Sequence, residues 1–493
     1  MLNERRKPAT QPKDTWLDKS LKFISKYPEN LLHRSPPYSG VYFGTTRIVG
    51  RKYTVAKSLE DDGHISVFGG SGSGKSSCMV KRTLAYCKDS FLAIDINGEL
   101  YDYWKEIATP DRKPVKVLNL TDDEGDFSTI DPFHLLKTAG GNVVQYCREL
   151  VQCLLPLPAN VKEPFWIESA QCILTGIILH YFSEDYGFNE TMEFIMGIPL
   201  HELIEGIHNG ENETAKMLVA QFKDIEDLSN NKMLLSISTT ITSRLIAFAT
   251  GPAVKTIFEP SENTLQWSDL DTHNIFIRID QSKLEQLGPV ISMLLTQLVR
   301  HLERRPNGYT TEGRNMRPVL LLSDEFPRIG KVDVIINALA TLRIKKVTIA
   351  MFLQSLSQLD LLYGVHQRKI IMDNCPYLAV LSVNDVDTQK YISQRIGDRK
   401  VQQVSQTLSN NEVKLKSSNT YSYQYEPVVR PHKLSNPKDI KLITPEGHYN
   451  VKKNPYYENE KQCMIPRTIS FVKKVAIVIR SLFKRIRRGF RGI

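Results

Sequence analysis

Short apolar runs punctuate the chain. His64–Gly69, Phe91–Asp95, Val115–Leu118, Asn274–Ile279, Val319–Asp324, Val347–Gln354 and Tyr377–Val383 are each a few residues long and rich in β-branched or aromatic side chains. They do not alternate apolar with polar positions, as a half-exposed strand does. Near-continuous runs of this length predict strands buried on both faces, the pattern of a parallel sheet. Helical spacing fills the gaps between several of them, as crossover connections require. Between about Gly140 and Gly251 the alternation stops, and Val143–Leu155, Trp166–Phe182 and Thr214–Asp227 read as helix after helix. The predicted layout is therefore an N-terminal arm (1–40, with one short helix at Trp16–Ile24), a sheet domain in two parts (41–139 and 252–460), an all-α domain inserted between them (140–251), and a tail (461–493). Val401–Tyr425, rich in Ser, Asn, Gln and Thr, predicts a long exposed loop or hairpin.

The 493 residues are too many for one compact core at roughly 100–200 residues per domain, so two or three units are expected. Hydrophobic residues make up 41% and charged residues 24%, a globular balance that excludes global disorder. The net charge of +10 resembles a nucleic-acid signal until it is located. Nine Lys/Arg and no Asp or Glu fall within Pro466–Ile493, and the remaining 55 basic residues nearly match the 54 acidic ones. A basic track on the body must therefore come from folding, not from composition. The seven cysteines are odd in number and show no Cys-x-x-Cys spacing, which predicts reduced thiols in a cytosolic protein. The first residues are polar, and no stretch approaches the ~18 apolar residues of a membrane-spanning helix.

One segment carries specific chemistry. Gly69-Gly70-Ser71-Gly72-Ser73-Gly74-Lys75-Ser76 fits G-x-x-x-x-G-K-[ST], preceded by an apolar strand and followed by the helix-like Ser77–Tyr86. Glycines let backbone N–H groups turn inward around phosphate oxygens, and the helix N-terminus adds partial positive charge. Lys75 is predicted to neutralise the β- and γ-phosphates of ATP, and the Ser76 hydroxyl to ligate Mg²⁺. A flexible glycine turn is the bland alternative, and strand, spacing, Lys and Ser together argue against it.

A second segment supplies carboxylates. The apolar run Val319–Ser323 ends in Asp324-Glu325. Burying it places both at the strand's C-terminal end, where ligands bind in open α/β sheets. Asp324 is predicted to hold Mg²⁺ and Glu325 to act as general base on the attacking water. Gln354, ending another strand, is a candidate contact for the γ-phosphate and that water.

These pieces, in this order, resemble the type IV secretion coupling proteins of the TraG/TraD kind. The resemblance rests on Phe68–Ser77, Asp95–Leu100, Phe165–Ala170, Ser236–Thr240, Asp387–Gly397 and above all Leu322–Tyr363, with its Asp324-Glu325-Phe326-Pro327-Arg328-Ile329-Gly330-Lys331, Ala340–Arg343 and Gln354–Leu359. It spans roughly Val41 to Tyr457. It implies a RecA-like P-loop NTPase with a mostly parallel central sheet and an inserted all-α domain. It also implies a ring, typically a hexamer, that hydrolyses ATP between subunits and passes relaxase-bound DNA to a type IV secretion channel. Lys75, Ser76, Asp324, Glu325 and Gln354 carry over, with Ser77 in the phosphate loop and Asp95 as a supporting acid near the phosphates. Arg343, then Arg430, are candidates for an arginine acting on a neighbouring subunit's nucleotide. The family usually has N-terminal transmembrane helices, which this sequence does not show. Asn97 stands where the family commonly has a basic residue.

The tail is amphipathic. On a helical wheel Phe471, Val472, Val475, Ile479, Leu482, Phe483, Ile486 and Phe490 share a sector of about 120°, opposite Lys473, Lys474, Arg480, Lys484, Arg485, Arg487, Arg488 and Arg491, with Ile477 as the exception. Such a helix fits the headgroup layer of an anionic membrane, which predicts peripheral contact through residues 466–493. A DNA-phosphate clamp and a docking helix are the alternatives. For the whole chain the rival functions are a nucleotide-gated adaptor that recruits relaxase or effector proteins without pumping DNA, and a motor of related fold.

Overall fold

A computed structural model describes residues 27–458, apart from 35–39, 111, 122–126, 158–160, 162, 223–230, 311–312, 315–316 and 412–413, and without the side chains of 309–310, 313–314 and 405–420. The readings made on Trp16–Ile24 and on the tail lie outside the described residues.

All seven apolar runs form strands of one sheet. They are β1 (Ile65–Gly69), β2 (Ser90–Ile96), β3 (Val115–Asn119), β4 (Asn274–Ile279), β5 (Val319–Ser323), β6 (Val347–Leu353) and β7 (Tyr377–Ser382), joined by β8 (Ile440–Thr444) and β9 (Gly447–Val451). The spatial order is β9-β8-β7-β1-β6-β5-β2-β4-β3. Strands β1 to β7 run parallel, and β8 and β9 add an antiparallel edge. Every residue of β1 and of β6 is buried, which explains the unbroken apolar runs: both faces of the sheet are covered.

The alternation hidden in those runs sorts side chains between two cores. Leu92, Ile94, Ile349, Met351 and Leu353 face the larger one, shared with the helical insertion. Phe91, Ala93, Ala350 and Phe352 face the smaller one, under the N-terminal hairpin Val41–Ile48/Arg51–Lys57 and the helix Glu99–Ile107. That hairpin and β8–β9 were not visible as runs. Thr45 bridges to Lys452 beside β9, so the hairpin closes that edge of the sheet.

The insertion lies between β3 and β4. Its helices extend from His134 to Phe258, and its two stems meet in the short parallel pair Thr129–Ile130/Thr264–Leu265. Phe165–Ser183 is apolar nearly all round and runs through its centre, with Ile173, Leu174, Ile177 and Ile178 fully buried. Among the described residues no single helix is long and apolar enough to cross a membrane. Lys232–Ala249 and Pro252–Phe258 pass that test only as a pair bent by 80°. The Ser/Asn/Gln/Thr-rich segment is a two-stranded ribbon, Asp398–Asn411 against Lys414–Pro427.

Candidate nucleotide site

The phosphate loop leaves β1 at the C-terminal rim of the sheet. Gly70 N–H reaches Ser382 at the end of β7, 3.2 Å from both its carbonyl oxygen and its Oγ, which pins the loop to the neighbouring strand. Gly69 has no room for a side chain, since a Cβ there would lie 2.4 Å from Ser73 Oγ and 2.6 Å from Lys75 Cγ. Gly74 adopts φ 92°, a conformation that glycine takes without strain. Lys75 is only 6% exposed and donates to Gly69 O at 2.6 Å, with Gly70 O at 3.5 Å. Burial pulls its ammonium below the usual lysine range, against the charges of Asp324 and Glu325.

Strand β6 separates β1 from β5, so the carboxylates stand one strand away from the loop on the same rim. Ser76 Oγ donates to Asp324 Oδ2. The other carboxylate oxygen, Oδ1, is buried without a hydrogen-bond partner among the described residues, as are Ser73 Oγ and Ser323 Oγ. Burial raises the Asp324 pKa, opposed by the Ser76 hydrogen bond and the Lys75 charge. Asp324 Oδ1 and Ser73 Oγ, the latter beside Gly69 and Lys75, are costly to leave unpartnered, and they suit a hydrated divalent cation beside a phosphate; Ser323 Oγ faces the apolar core instead. Glu325 is left-handed at φ 73°, unusual for a residue with a side chain, and its carboxylate pairs with Arg328 at 2.8 Å.

Other predicted residues are placed differently. Gln354 follows β6, whose Leu353 is in register with Phe68, so it stands beside the start of the loop. Its backbone N–H is held by Gln358 Oε1 at 3.0 Å. Ser71 is exposed and Ser77 half-buried. Asp95 is fully buried on β2, with both oxygens in use: Oδ1 accepts from Leu100 N–H at 3.0 Å and Oδ2 from Tyr101 N–H at 2.8 Å. It organises the turn into Glu99–Ile107 and presents no free oxygen to a phosphate. Burial pushes its pKa up to about 6 despite those bonds. Arg343 is exposed near the end of the helix Asp333–Ile344, just before β6 begins. The length of β6, roughly 23 Å, separates it from the rim. Arg430 is also exposed and pairs with Glu426 at 3.5 Å.

Sequence reasoning missed Ser382, whose contact with Gly70 depends on strand order, Arg328, whose pairing with Glu325 is local, and the buried, unpartnered Ser323. It also missed Arg82, on the helix after the loop. Arg82 is 3% exposed and donates to the carbonyls of Asn454 (3.2 Å), Pro455 (2.6 Å) and Tyr456 (3.2 Å). Lys81 lies against the rings of Tyr103 and Tyr456. The segment after β9 is thus strapped across the helix that carries the phosphate loop.

A family model described as type IV secretory system conjugative DNA transfer matches residues 26–487. The chain belongs to this family. Relatives within reach of it include the VirD4 protein of Agrobacterium fabrum, 22% identical over 402 residues that cover 80% of this chain and 59% of that protein. The conjugal transfer protein TraG of Escherichia coli is 23% identical over 423 residues, covering 80% of this chain and 64% of its own length. The family member described here thus matches about three fifths of the length of these curated relatives. Among solved structures, the unbound bacterial conjugative coupling protein TrwBdeltaN70 superposes with a TM-score of 0.61 at 17% identity, covering 83% of this chain and 89% of that one. TrwB in complex with ADP and Mg²⁺ gives 0.60 at 17% identity, covering 89% and 92%. The fold is the RecA-like P-loop NTPase fold with a mostly parallel central sheet.

Proposed function

We propose that this chain is an ATPase that couples relaxase-bound DNA to a type IV secretion channel. The observation that carries the reading is the rim itself: Lys75, Ser76 and Asp324 converge there, with the Ser76–Asp324 hydrogen bond spanning the intervening strand. TrwB, of like fold, has been seen with ADP and Mg²⁺, and the oxygens left unpartnered here suit the same ligands.

In this reading Lys75 exchanges its two loop carbonyls for phosphate oxygens. Ser76 Oγ and Asp324 hold Mg²⁺, which supplies charge neutralisation of the phosphates. Glu325, released from Arg328, takes the proton of the attacking water at a carboxylate oxygen, and the Gln354 amide orients that water. Arg343, remote from its own chain's site, serves a neighbouring copy in a homo-oligomeric ring, a hexamer by family resemblance. DNA is gripped through backbone contacts independent of sequence. Residues 466–493 bring the ring to the inner face of the cell membrane.

The test is phosphate release by the full chain with and without DNA, for wild type and Lys75→Ala. DNA-stimulated turnover that disappears in the variant is expected. Turnover indifferent to DNA sinks the motor reading and favours a nucleotide-gated adaptor. Turnover surviving in the variant sinks the site.

A further inference from the structure

The ribbon Asp398–Asn411/Lys414–Pro427 takes no part in the site described above. Each strand has 14 residues, a reach of roughly 46 Å. Its root is fixed: Val428 N–H donates to Gly397 O at 3.0 Å, and Ser393 Oγ to Val429 O at 2.6 Å. Beyond the root one face is unusual. Tyr421, Tyr423 and Tyr425 are i, i+2 and i+4 on one strand, so all three rings project from the same side. They are 59%, 59% and 73% exposed. Directly across lie Val404, Gln402 and Lys400, and the Lys400 ammonium sits 4.2 Å from the centre of the Tyr423 ring. These six positions hold one cation and no anion.

Exposed tyrosines in series on an isolated two-stranded ribbon are a cost to the folded chain, since such a ribbon is only marginally stable by itself. Their spacing indicates what covers them. Alternate residues of a strand stand about 6.7 Å apart. Stacked nucleotides repeat at about 3.4 Å along one strand. A base, a ring and the next base therefore need about 6.8 Å, so three rings at strand spacing can interleave with successive bases of a single strand. A duplex offers no such slots, because its bases are already paired and stacked. The Lys400 ammonium lies over the face of the central ring, so a base that stacks there displaces it toward the adjacent phosphate.

We propose that this tyrosine face is a base-stacking platform for single-stranded nucleic acid. The proposal rests on the reading of the chain as a DNA-handling motor and adds to it where, and in which form, the strand is held. Contacts of this kind are tolerant of sequence, since every base has a face to stack.

The test is fluorescence anisotropy of the full chain with a labelled oligothymidine of about 20 nucleotides and with a duplex of equal length. Variants are Tyr421→Ala/Tyr423→Ala/Tyr425→Ala, the same triple to Phe, and Tyr423→Ala alone, each checked for folding by circular dichroism. The alanine triple should bind oligothymidine at least about tenfold more weakly and the duplex within about twofold of wild type, and the phenylalanine triple should bind both as wild type does. Lys400→Ala should lower the salt slope of oligothymidine binding by about 0.7, while the alanine triple leaves it unchanged. Undiminished oligothymidine binding by a folded alanine triple, or by Tyr423→Ala if the triple does not fold, overturns the platform and leaves the motor reading standing. Unchanged binding together with a lost sedimentation boundary of associated copies overturns it in favour of a second copy of the chain on this face. A wild-type chain that binds neither probe overturns both readings.

Discussion

Replacing Glu325 by glutamine removes one proton acceptor and little else. The side chain keeps its length, and the left-handed backbone at φ 73° is untouched. The ion pair with Arg328 at 2.8 Å goes, but the two side chains are 32% and 37% exposed. A pair so accessible to water contributes about 0.2–1 kcal/mol, so the thermal midpoint should move by no more than about 2 °C. The Lys75 ammonium, the Ser76–Asp324 hydrogen bond and the glycine loop all stay in place, and nucleotide affinity should remain within about threefold of wild type. Turnover is another matter. Loss of a positioned base lowers it by about 10²–10⁴-fold, or roughly 3–5 kcal/mol of barrier. Steady-state phosphate release at saturating ATP, alongside titration with a fluorescent nucleotide, separates the two quantities. A variant that keeps more than about a tenth of wild-type kcat refutes the assignment. So does one whose turnover and affinity fall together.

Asp324→Ala should make nucleotide affinity nearly independent of Mg²⁺, since the unpartnered Oδ1 and its neighbours would no longer hold the cation. Fluorescent ADP titrated with and without Mg²⁺ checks it, and an unchanged ratio counts against the metal role. Asp95, with its pKa raised from 3.8 to about 6, keeps its proton longer folded than unfolded. It therefore contributes stability below pH 4 that fades as pH rises through 6, on the order of 3 kcal/mol. In urea titrations Asp95→Asn should flatten that decline between pH 4 and 6, and a profile parallel to wild type would contradict the assigned cause. Arg82→Ala should cost about 2–4 kcal/mol, because three carbonyls lose a charged donor. Thermal unfolding should show the loss, and limited proteolysis should cut the segment Lys452–Glu458 sooner.

The parts of the site written in consecutive residues were legible. Gly69–Ser76 and Val319–Glu325 each announce a strand, a turn and a reactive group, and burial of both strands leaves their C-terminal ends at one rim. What could not be read was lateral order. Nothing in Val347–Leu353 says that it lies between the other two strands, and its place there decides that Gln354, Ser76 and Asp324 are neighbours. Asp95 shows the same limit at a single side chain. Its motif position drew it toward the phosphates, yet the turn at Asn97-Gly98 brings two backbone N–H groups onto its oxygens. The β8–β9 edge and the N-terminal hairpin escaped notice because polar residues interrupt their apolar ones, as Thr45, Thr46 and Arg47 do in Val41–Ile48 and Lys441 does in β8, although most of those positions are buried. The helical insertion was visible as lost alternation. Its ends, from His134 to Phe258, were blurred because the short stem strands carry too few residues to form a pattern.

The strap behind the phosphate loop has a mechanical corollary. Arg82 is seven residues, about two helical turns, beyond Lys75, and it grips the last three residues before Tyr457. A load applied to the chain after Glu458 therefore reaches Lys81 and Arg82, on the helix that follows the lysine. Tension and occupancy of the loop act on opposite ends of one short lever, so a force on the carboxyl-terminal side would be registered as a change in how tightly the other end holds its ligand.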